Sequence, residues 1–297
     1  MLAFQQKVIA IALLSSALGW AIFFGVTGHP FVAISGTLIL GFGYAVFLAA
    51  EFLMLYLVQR ADVAPRPSVR QLLIAWCQEA RIALRVFLWR QPFRSVVEPD
   101  HLPADRQGQP GVVLVHGFVC NRGLWNPWMR SLRAANVAFV AVNLEPVFGS
   151  IDCYTDAIET AVARVEAATK TTVVLVGHSM GGLAIRAWLA RFDAAPRVRR
   201  VLTIASPHQG TWLARFGFTA GARELRLLSP WLIALAERET LERYALFSCY
   251  FGHCDNIVFP AACGTLPCAE NIHVPGTAHL QMAFEPTVFD GLLRWLR

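Results

Sequence analysis

Residues 173–190 read VVLVGHSMGGLAIRAWLA, and this stretch decides the fold. Its first four residues are apolar and mostly β-branched, which is typical of a buried strand. Its last eight residues have the composition of a helix, and three glycines surround Ser179 between the two. A strand, a G-x-S-x-G turn and a helix, in that order, hold a serine at a sharp and strained turn as a nucleophile. Gly177 and Gly181 are needed because side chains two residues either side of the serine would collide with the neighbouring strand and helix.

Two segments further along the chain place an acid and a base after strand-like runs. The apolar run at residues 245–251 leads into Asp255, and a strand-like segment at residues 271–274 precedes His279. Open α/β sheets carry their chemistry at the carboxyl ends of their strands, so we expect these side chains to meet Ser179 there. The order Ser179, Asp255, His279 along the chain is that of the α/β-hydrolase triad.

The chain from residue 95 to residue 297 resembles an α/β-hydrolase of the bacterial lipase and carboxylesterase kind. The segment SPHQGT, residues 206–211, is similar to the P-H-x-G-T segment that follows the strand after the nucleophile helix in many lipases. The apolar run at residues 112–115, followed by His116, Gly117 and Phe118, resembles the loop that supplies an oxyanion-hole N–H group in these enzymes. The first third of the chain takes no part in the resemblance.

The resemblance implies a role for each motif residue. Ser179 is the nucleophile, His279 the general base and then the general acid, and Asp255 the group that orients the imidazole. The backbone N–H groups of Phe118 and Met180 form the oxyanion hole. The residues expected to shape the two turns are His116, Gly117, Gly177, His178 and Gly181.

The activity implied is hydrolysis of carboxylic esters, with lipid-like acyl esters as substrates and no cofactor. Thioesterases, phospholipases and acyltransferases pass through the same covalent intermediate, so the triad does not separate them. A catalytically silent membrane scaffold with this fold is a further alternative, against which the intact motif residues argue. No H-E-x-x-H pattern occurs in the sequence, and no metal site is expected.

Residues 112–205 alternate between strand and helix patterns, which predicts an α/β fold with a mostly parallel sheet and helices on both faces. The alternation stops at residues 211–245, where apolar side chains lie among Arg and Glu in short helical runs. Many α/β-hydrolases carry a helical cap at this place, and an apolar cap suits an acyl chain. Ordinary packing of these helices onto the sheet edge is the alternative.

The apolar excess of the chain is concentrated at its start. Residues 8–27 and 31–50 are two runs of 20 residues without a charge, each long enough to cross a bilayer. Pro30 favours a turn between them, so residues 1–60 are predicted to form a transmembrane helical hairpin. A cleaved signal peptide is the alternative for the first run.

Residues 61–94 are predicted to form a basic amphipathic helix beginning after Ser68, lying on the membrane surface or packed on the hydrolase domain. Residues 1–94 carry eight basic and three acidic residues, which accounts for most of the net charge of +6. The net positive charge therefore belongs mainly to the predicted anchor region, and it does not indicate a nucleic-acid partner. Lys7 precedes the first apolar run and three arginines follow the second, so the positive-inside rule favours a multi-pass protein of the bacterial inner membrane with a cytoplasmic catalytic domain.

Four of the seven cysteines crowd around Asp255: Cys249, Cys254, Cys263 and Cys268. Free thiols, disulfides or a zinc site are all compatible with this spacing. Disulfides would imply an oxidising periplasm and the reversed topology. The sequence does not indicate the oligomeric state.

Overall fold

A computed structural model of the protein describes residues 1–296 and contains one sheet. Its strands are β1 (Val112–Val115), β2 (Phe139–Ala141), β3 (Val173–His178), β4 (Val198–Ile204), β5 (Phe247–Phe251) and β6 (Glu270–His273). They lie in the order β2-β1-β3-β4-β5-β6 and every neighbouring pair is parallel. The predicted α/β fold with a parallel sheet is confirmed.

Helices precede the sheet and connect its strands. They are α1 (Leu2–Val26), α2 (Pro30–Val58), α3 (Val69–Arg85), α4 (Gln91–Arg94), α5 (Asn126–Ala134), α6 (Thr155–Thr169), α7 (Met180–Phe192), α8 (Ala220–Glu224), α9 (Pro230–Ala236), α10 (Leu241–Tyr244), α11 (His279–Met282) and α12 (Pro286–Leu293). A π-helical turn, Val86–Arg90, joins α3 to α4.

The sheet is buried on both faces, because helices cover each side. Successive side chains of a strand point to opposite faces, so Val113 and Leu175 enter one core and Leu114 and Val174 enter the other. The first core contains residues of α6 and α7, and the second contains residues of α5 and α12. Burial on both faces explains why the central strands are continuous apolar runs.

The N-terminal helices α1 and α2 form a hairpin. Each is long and apolar enough to cross a membrane, and most of its large apolar side chains are exposed. Near the turn, the Trp20 Nε1–H group donates a hydrogen bond of 2.8 Å to the Val32 carbonyl oxygen. The two apolar runs of the sequence are therefore helices, and their exposed surface is what a hydrocarbon environment would cover.

Helix α3 attaches the hairpin to the sheet-containing part of the chain. Ser68 caps it as the sequence indicates, since its hydroxyl accepts from the Gln71 N–H group. Leu72 and Ala75 of α3 pack with Phe52 and Leu55 of α2. The same buried cluster includes Cys254, Phe259 and Ala278, so α2 and α3 share a core with the loops after β5 and β6.

Residues 211–245 form short helices, as the sequence pattern predicts. Leu225, Leu232 and Tyr244 from this segment are buried in the core that contains α7. Part of this segment therefore packs onto a face of the sheet, while other apolar side chains, such as Phe218 and Leu228, are exposed.

Candidate active site

Ser179 lies at the tight turn between β3 and α7. Its backbone has φ 55° and ψ −128°, a conformation that a residue with a side chain rarely adopts. Its N–H group donates to the Ile204 carbonyl oxygen at 2.8 Å, which ties the turn to β4. A Cβ atom on Gly177 would lie 2.7 Å from the Gly182 nitrogen, and one on Gly181 would collide with the Val115 carbonyl oxygen. The two glycines are thus required by close backbone contacts, as the motif predicts.

Asp255 and His279 meet in the structure although 24 residues separate them in the sequence. The His279 Nδ1 atom lies 3.0 Å from Asp255 Oδ1 and 3.1 Å from Oδ2. The Ile257 and Val258 N–H groups also donate to Asp255 Oδ1, at 2.9 and 2.8 Å. The carboxylate is therefore buried but well supplied with donors, which fix its direction.

The loop after β1 packs directly against the serine. A Cβ atom on Gly117 would lie 2.7 Å from Ser179 Cβ, so only glycine allows this approach. Phe118 follows and lines the same cavity as Ser179. Met180 is the first residue of α7, where backbone N–H groups have no acceptor within the helix. Phe118 thus lies in the loop beside Ser179 and Met180 directly after it, and an oxyanion hole formed by their N–H groups stays a prediction.

His116 and His178 hold these turns by hydrogen bonds to the backbone. The Leu144 N–H group donates to His116 Nε2 at 3.0 Å, while Nδ1 lies 2.9 Å from the Gly117 carbonyl oxygen. The Nε2 atom of His178 lies 3.2 Å from the His279 carbonyl oxygen. Burial lowers the pKa of His116 to about 4, and burial together with the neighbouring His279 lowers that of His178 to about 3. Both imidazoles are therefore neutral at physiological pH.

Ser179 and His279 open into a cavity of about 540 Å³, here called the serine cavity. Its lining residues are Tyr44, Phe47, Leu48, Glu51, Glu79, Ala83 and Phe87 from the N-terminal region, and Gly117, Phe118, Val119, Cys120, His178, Ser179, Asn256, Ile257, His279 and Leu280. Helices α2 and α3 thus form one wall of it. Residues 211–245 contribute none of the lining, although the sequence places a cap there.

Three polar side chains of the N-terminal helices bond to the loops that carry the site. Gln6 of α1 donates to the Val119 carbonyl oxygen at 3.2 Å. Glu51 of α2 accepts from Asn256 Nδ2 at 2.7 Å, and Asn256 Oδ1 in turn receives the His279 N–H group at 3.3 Å. Glu79 of α3 accepts from the N–H groups of Leu280 and Gln281. Sequence motifs do not reveal these residues, but each is a buried polar group on an otherwise apolar helix face.

Glu79 bonds directly to the start of the helix that carries His279. Its Oε1 accepts from the Leu280 N–H group at 2.8 Å and its Oε2 from the Gln281 N–H group at 2.9 Å. The signal in the sequence is positional: Glu79 lies four residues after Ala75 and seven after Leu72, on the buried side of α3.

The charges around His279 favour its protonated form. Burial opposes protonation, but Asp255, Glu79 and Glu51 together outweigh it and raise the pKa of His279 above its ordinary value. Burial raises the pKa of Glu79 to about 7, and Asp255 adds to the rise while His279 and the two N–H donors oppose it. An imidazole beside a fixed carboxylate, in one cavity with a strained serine, can take and return a proton.

All seven cysteines are free thiols in the structure. Cys249, Cys254 and Cys263 are buried, which raises the pKa of each thiol, and Cys268 is exposed. Within residues 1–296, no three His, Cys, Asp or Glu side chains are placed to hold a metal ion. Of the three alternatives for the cysteine cluster, the structure has the free thiols.

Comparison with known proteins supports the fold. The model of the Alpha/beta hydrolase family matches residues 112–282. The mature lipase BlEst2 of Bacillus licheniformis superposes with a TM-score of 0.56 at 18% identity, over 67% of this chain and 94% of that one. Lipase B of Aspergillus fumigatus has a TM-score of 0.56 at 18% identity, over 64% of this chain and 53% of that one. No curated protein matches the chain. At such identities the structural likeness establishes the fold.

Proposed function

The chain belongs to the α/β-hydrolase family, and on that premise we propose that it is a membrane-anchored serine hydrolase of lipid-like acyl esters. The observation that carries the proposal is the Asp255–His279 pair, with Nδ1 and Oδ1 3.0 Å apart, beside the strained Ser179 in one cavity. These are the parts that acyl transfer requires: a nucleophile, a base and a group that orients the base.

The geometry supports a two-step reaction. Ser179 Oγ attacks the ester carbonyl carbon while His279 Nε2 takes its proton, and the N–H groups of Phe118 and Met180 stabilise the oxyanion. His279 then gives the proton to the leaving alkoxide, so the alcohol departs and an acyl group remains on Ser179. Water, deprotonated by His279, attacks that ester, and the acid is released with Ser179 regenerated.

The wall of the serine cavity favours an acyl substrate. Phe47, Leu48, Phe87 and Ile257 supply apolar surface beside the serine. A pocket lined mainly by apolar groups with a few converging polar ones fits a ligand with a hydrocarbon tail and one reactive polar group. Thioesters and phospholipids carry the same acyl carbonyl, so we propose the ester class and not one lipid.

The N-terminal helices support a retained anchor. A cleaved α1 would take with it Gln6, which bonds to Val119 in the loop that also carries Phe118. We propose that residues 1–60 are a transmembrane hairpin, residues 61–94 a juxtamembrane segment and residues 95–297 the catalytic domain. Positive charges near both ends of the hairpin favour a cytoplasmic catalytic domain at the bacterial inner membrane.

The proposal is tested with the full chain in nanodiscs. We expect hydrolysis of p-nitrophenyl butyrate and covalent labelling by a fluorophosphonate probe. Ser179→Ala should abolish labelling and lower kcat by at least about 10³-fold, because triad members act as a unit. A thermal melt shows whether the variant is folded. Labelling and hydrolysis that persist in folded Ser179→Ala would contradict the proposal, and their absence in folded wild type would favour a non-catalytic scaffold.

A further inference from the structure

A second apolar cavity adjoins the serine cavity. It has a volume of about 550 Å³ and lies between α1, α2 and the end of α3; we call it the hairpin cavity. Tyr44, Ala83 and Phe87 line both cavities, so the two are neighbours across one shared wall. The hairpin cavity therefore lies directly beyond the candidate active site, on the side of the transmembrane hairpin.

The lining of the hairpin cavity has no charged side chain. Leu13, Leu14, Leu40, Phe42 and Leu88 are representative of it. Its one polar side chain is Tyr44, whose hydroxyl donates to the Ala80 carbonyl oxygen at 3.1 Å. A polar ligand would lose its hydrogen bonds to water and find no partner here, whereas a hydrocarbon chain loses nothing.

We propose that the hairpin cavity binds the distal part of a long acyl chain whose ester carbonyl lies at Ser179. This inference rests on the proposed function and narrows the substrate to long-chain acyl esters taken from the bilayer. The apolar surfaces of α1 and α2 that border the cavity, such as Leu14 and Phe42, are exposed and would lie in the hydrocarbon layer. Under this proposal the acyl chain reaches the serine from the hydrocarbon layer, past the side chains of Tyr44 and Phe87 that line both cavities.

Two glycines of α2 provide a matched test. Gly41 lines the hairpin cavity and Gly43 lines neither cavity, and a Cβ atom on either would meet nothing within 4 Å. We expect Gly41→Phe to lower kcat/KM for p-nitrophenyl palmitate about tenfold and to leave the butyrate ester within twofold. Gly43→Phe should change neither. If the ratio of kcat/KM for the palmitate ester to kcat/KM for the butyrate ester is equal in the two variants, the proposal is overturned.

A binding measurement separates this inference from the hydrolase proposal. A diazirine-bearing palmitic acid should photolabel peptides of the hairpin cavity in wild type and in Ser179→Ala, and Gly41→Phe should reduce the labelling. Labelling without ester hydrolysis in wild type would support the acyl site while contradicting the hydrolase. Hydrolysis without labelling of these peptides would contradict the acyl site alone.

An independent observation concerns the carboxylates next to His279. Glu79 accepts two N–H groups from the residues that follow His279, and Glu51 holds Asn256, which receives the His279 N–H group. We infer that Glu79 and Glu51 are positioning residues for the imidazole, contributed by helices outside the hydrolase domain. They act through the backbone around His279 and through their charge.

The groups that face His279 come from four elements. Asp255 follows β5, His178 ends β3, Glu79 lies on α3 and Glu51 on α2. In its ionised form each glutamate favours the protonated imidazole, and since burial raises the pKa of Glu79 to about 7, its charge acts mainly at pH 7 and above. The neutral, active form of His279 should therefore persist to lower pH in variants that lack either glutamate.

Glu79→Gln tests the inference, with Glu285→Gln as its matched control. Glu285 accepts from Gln281 Nε2 of the same short helix and is not among the groups that shift the pKa of His279. We expect Glu79→Gln to lower kcat at least tenfold and to leave KM within twofold. It should also move the acid limb of the pH profile of kcat/KM to lower pH. Glu51→Gln keeps an acceptor for Asn256 and should likewise move the acid limb to lower pH. If neither acid limb moves relative to Glu285→Gln, the positioning role is wrong.

Discussion

The hydrolase domain and the N-terminal helices both contact the candidate site, and they do so by different physical means. In the domain, Ser179 is held by a strained turn and by glycines that permit close backbone contacts. The helices contribute isolated polar side chains, Gln6, Glu51 and Glu79, that bond to the site's loops. The strained turn and its glycines are encoded by a short sequence motif that a family shares. The bonds from the helices exist only when the helices are packed against the domain.

The difference also has an energetic side. A buried polar side chain on an apolar helix costs desolvation free energy unless it is bonded. Glu79 and Gln6 are bonded to the backbone of the hydrolase domain, so their burial ties the helices to that domain. The N-terminal helices and the candidate site therefore form one structural unit.

The largest expected effect is on the domain side. Asp255→Asn should lower kcat about 10⁴-fold, because an amide no longer orients the imidazole or stabilises its charged form. The measurement is ester hydrolysis in nanodiscs, with Asp290→Asn on α12 as the control. An activity within tenfold of wild type would show that Asp255 is not the acid of the site.

The second prediction concerns the stability that helix α2 gives to the protein. Leu55 of α2 is 1% exposed and lies in the cluster with Phe259 and Ala278, so Leu55→Ala should lower the free energy of unfolding by about 2–5 kcal/mol. Leu57→Ala, at a position 69% exposed on the same helix, should change it by about 0.5 kcal/mol or less. Thermal unfolding followed by tryptophan fluorescence measures both. Equal melting temperatures would mean that α2 does not stabilise the hydrolase domain.

The smallest effect is the pH dependence, to which both regions contribute. The base form of His279 is the neutral imidazole, and neighbouring carboxylates raise its pKa above the ordinary value. Ester kcat/KM should therefore fall about tenfold per pH unit below a midpoint that lies above about 6.5. A pH–rate profile at constant ionic strength measures it. A midpoint below that value would mean that the carboxylates do not act on the imidazole as the structure indicates.

The sequence predicts the hydrolase domain well, because its determinants are local. The run at residues 173–176 is apolar at every position since β3 is covered on both faces, and Gly181 is required by close contacts with the backbone of Val115 and His116. Asp255 and His279 are also accessible to sequence reasoning, because parallel strands bring their carboxyl ends to one edge. The two side chains are indeed hydrogen-bonded in the structure.

The sequence does not predict the cavity wall. The apolar residues 211–245 suggested a cap, yet Leu225 and Leu232 pack into the core and the serine cavity is lined by Phe47 and Leu48 instead. The apolar composition of a segment does not show which of its side chains are buried or what they pack against. Glu79 is similarly ambiguous, since an acid on an amphipathic helix is ordinarily solvated, and only its bonds to Leu280 and Gln281 reveal its position.

The most direct measurement is detection of the acyl-enzyme. The protein is mixed with p-nitrophenyl palmitate, the reaction is rapidly quenched, and the peptides are analysed by mass spectrometry. We expect one palmitoyl group on the peptide that contains Ser179, formed faster than it is released and absent in Ser179→Ala. Steady ester turnover with no acyl group on that peptide, or with the acyl group on another residue, would contradict a serine hydrolase built from both regions of the chain.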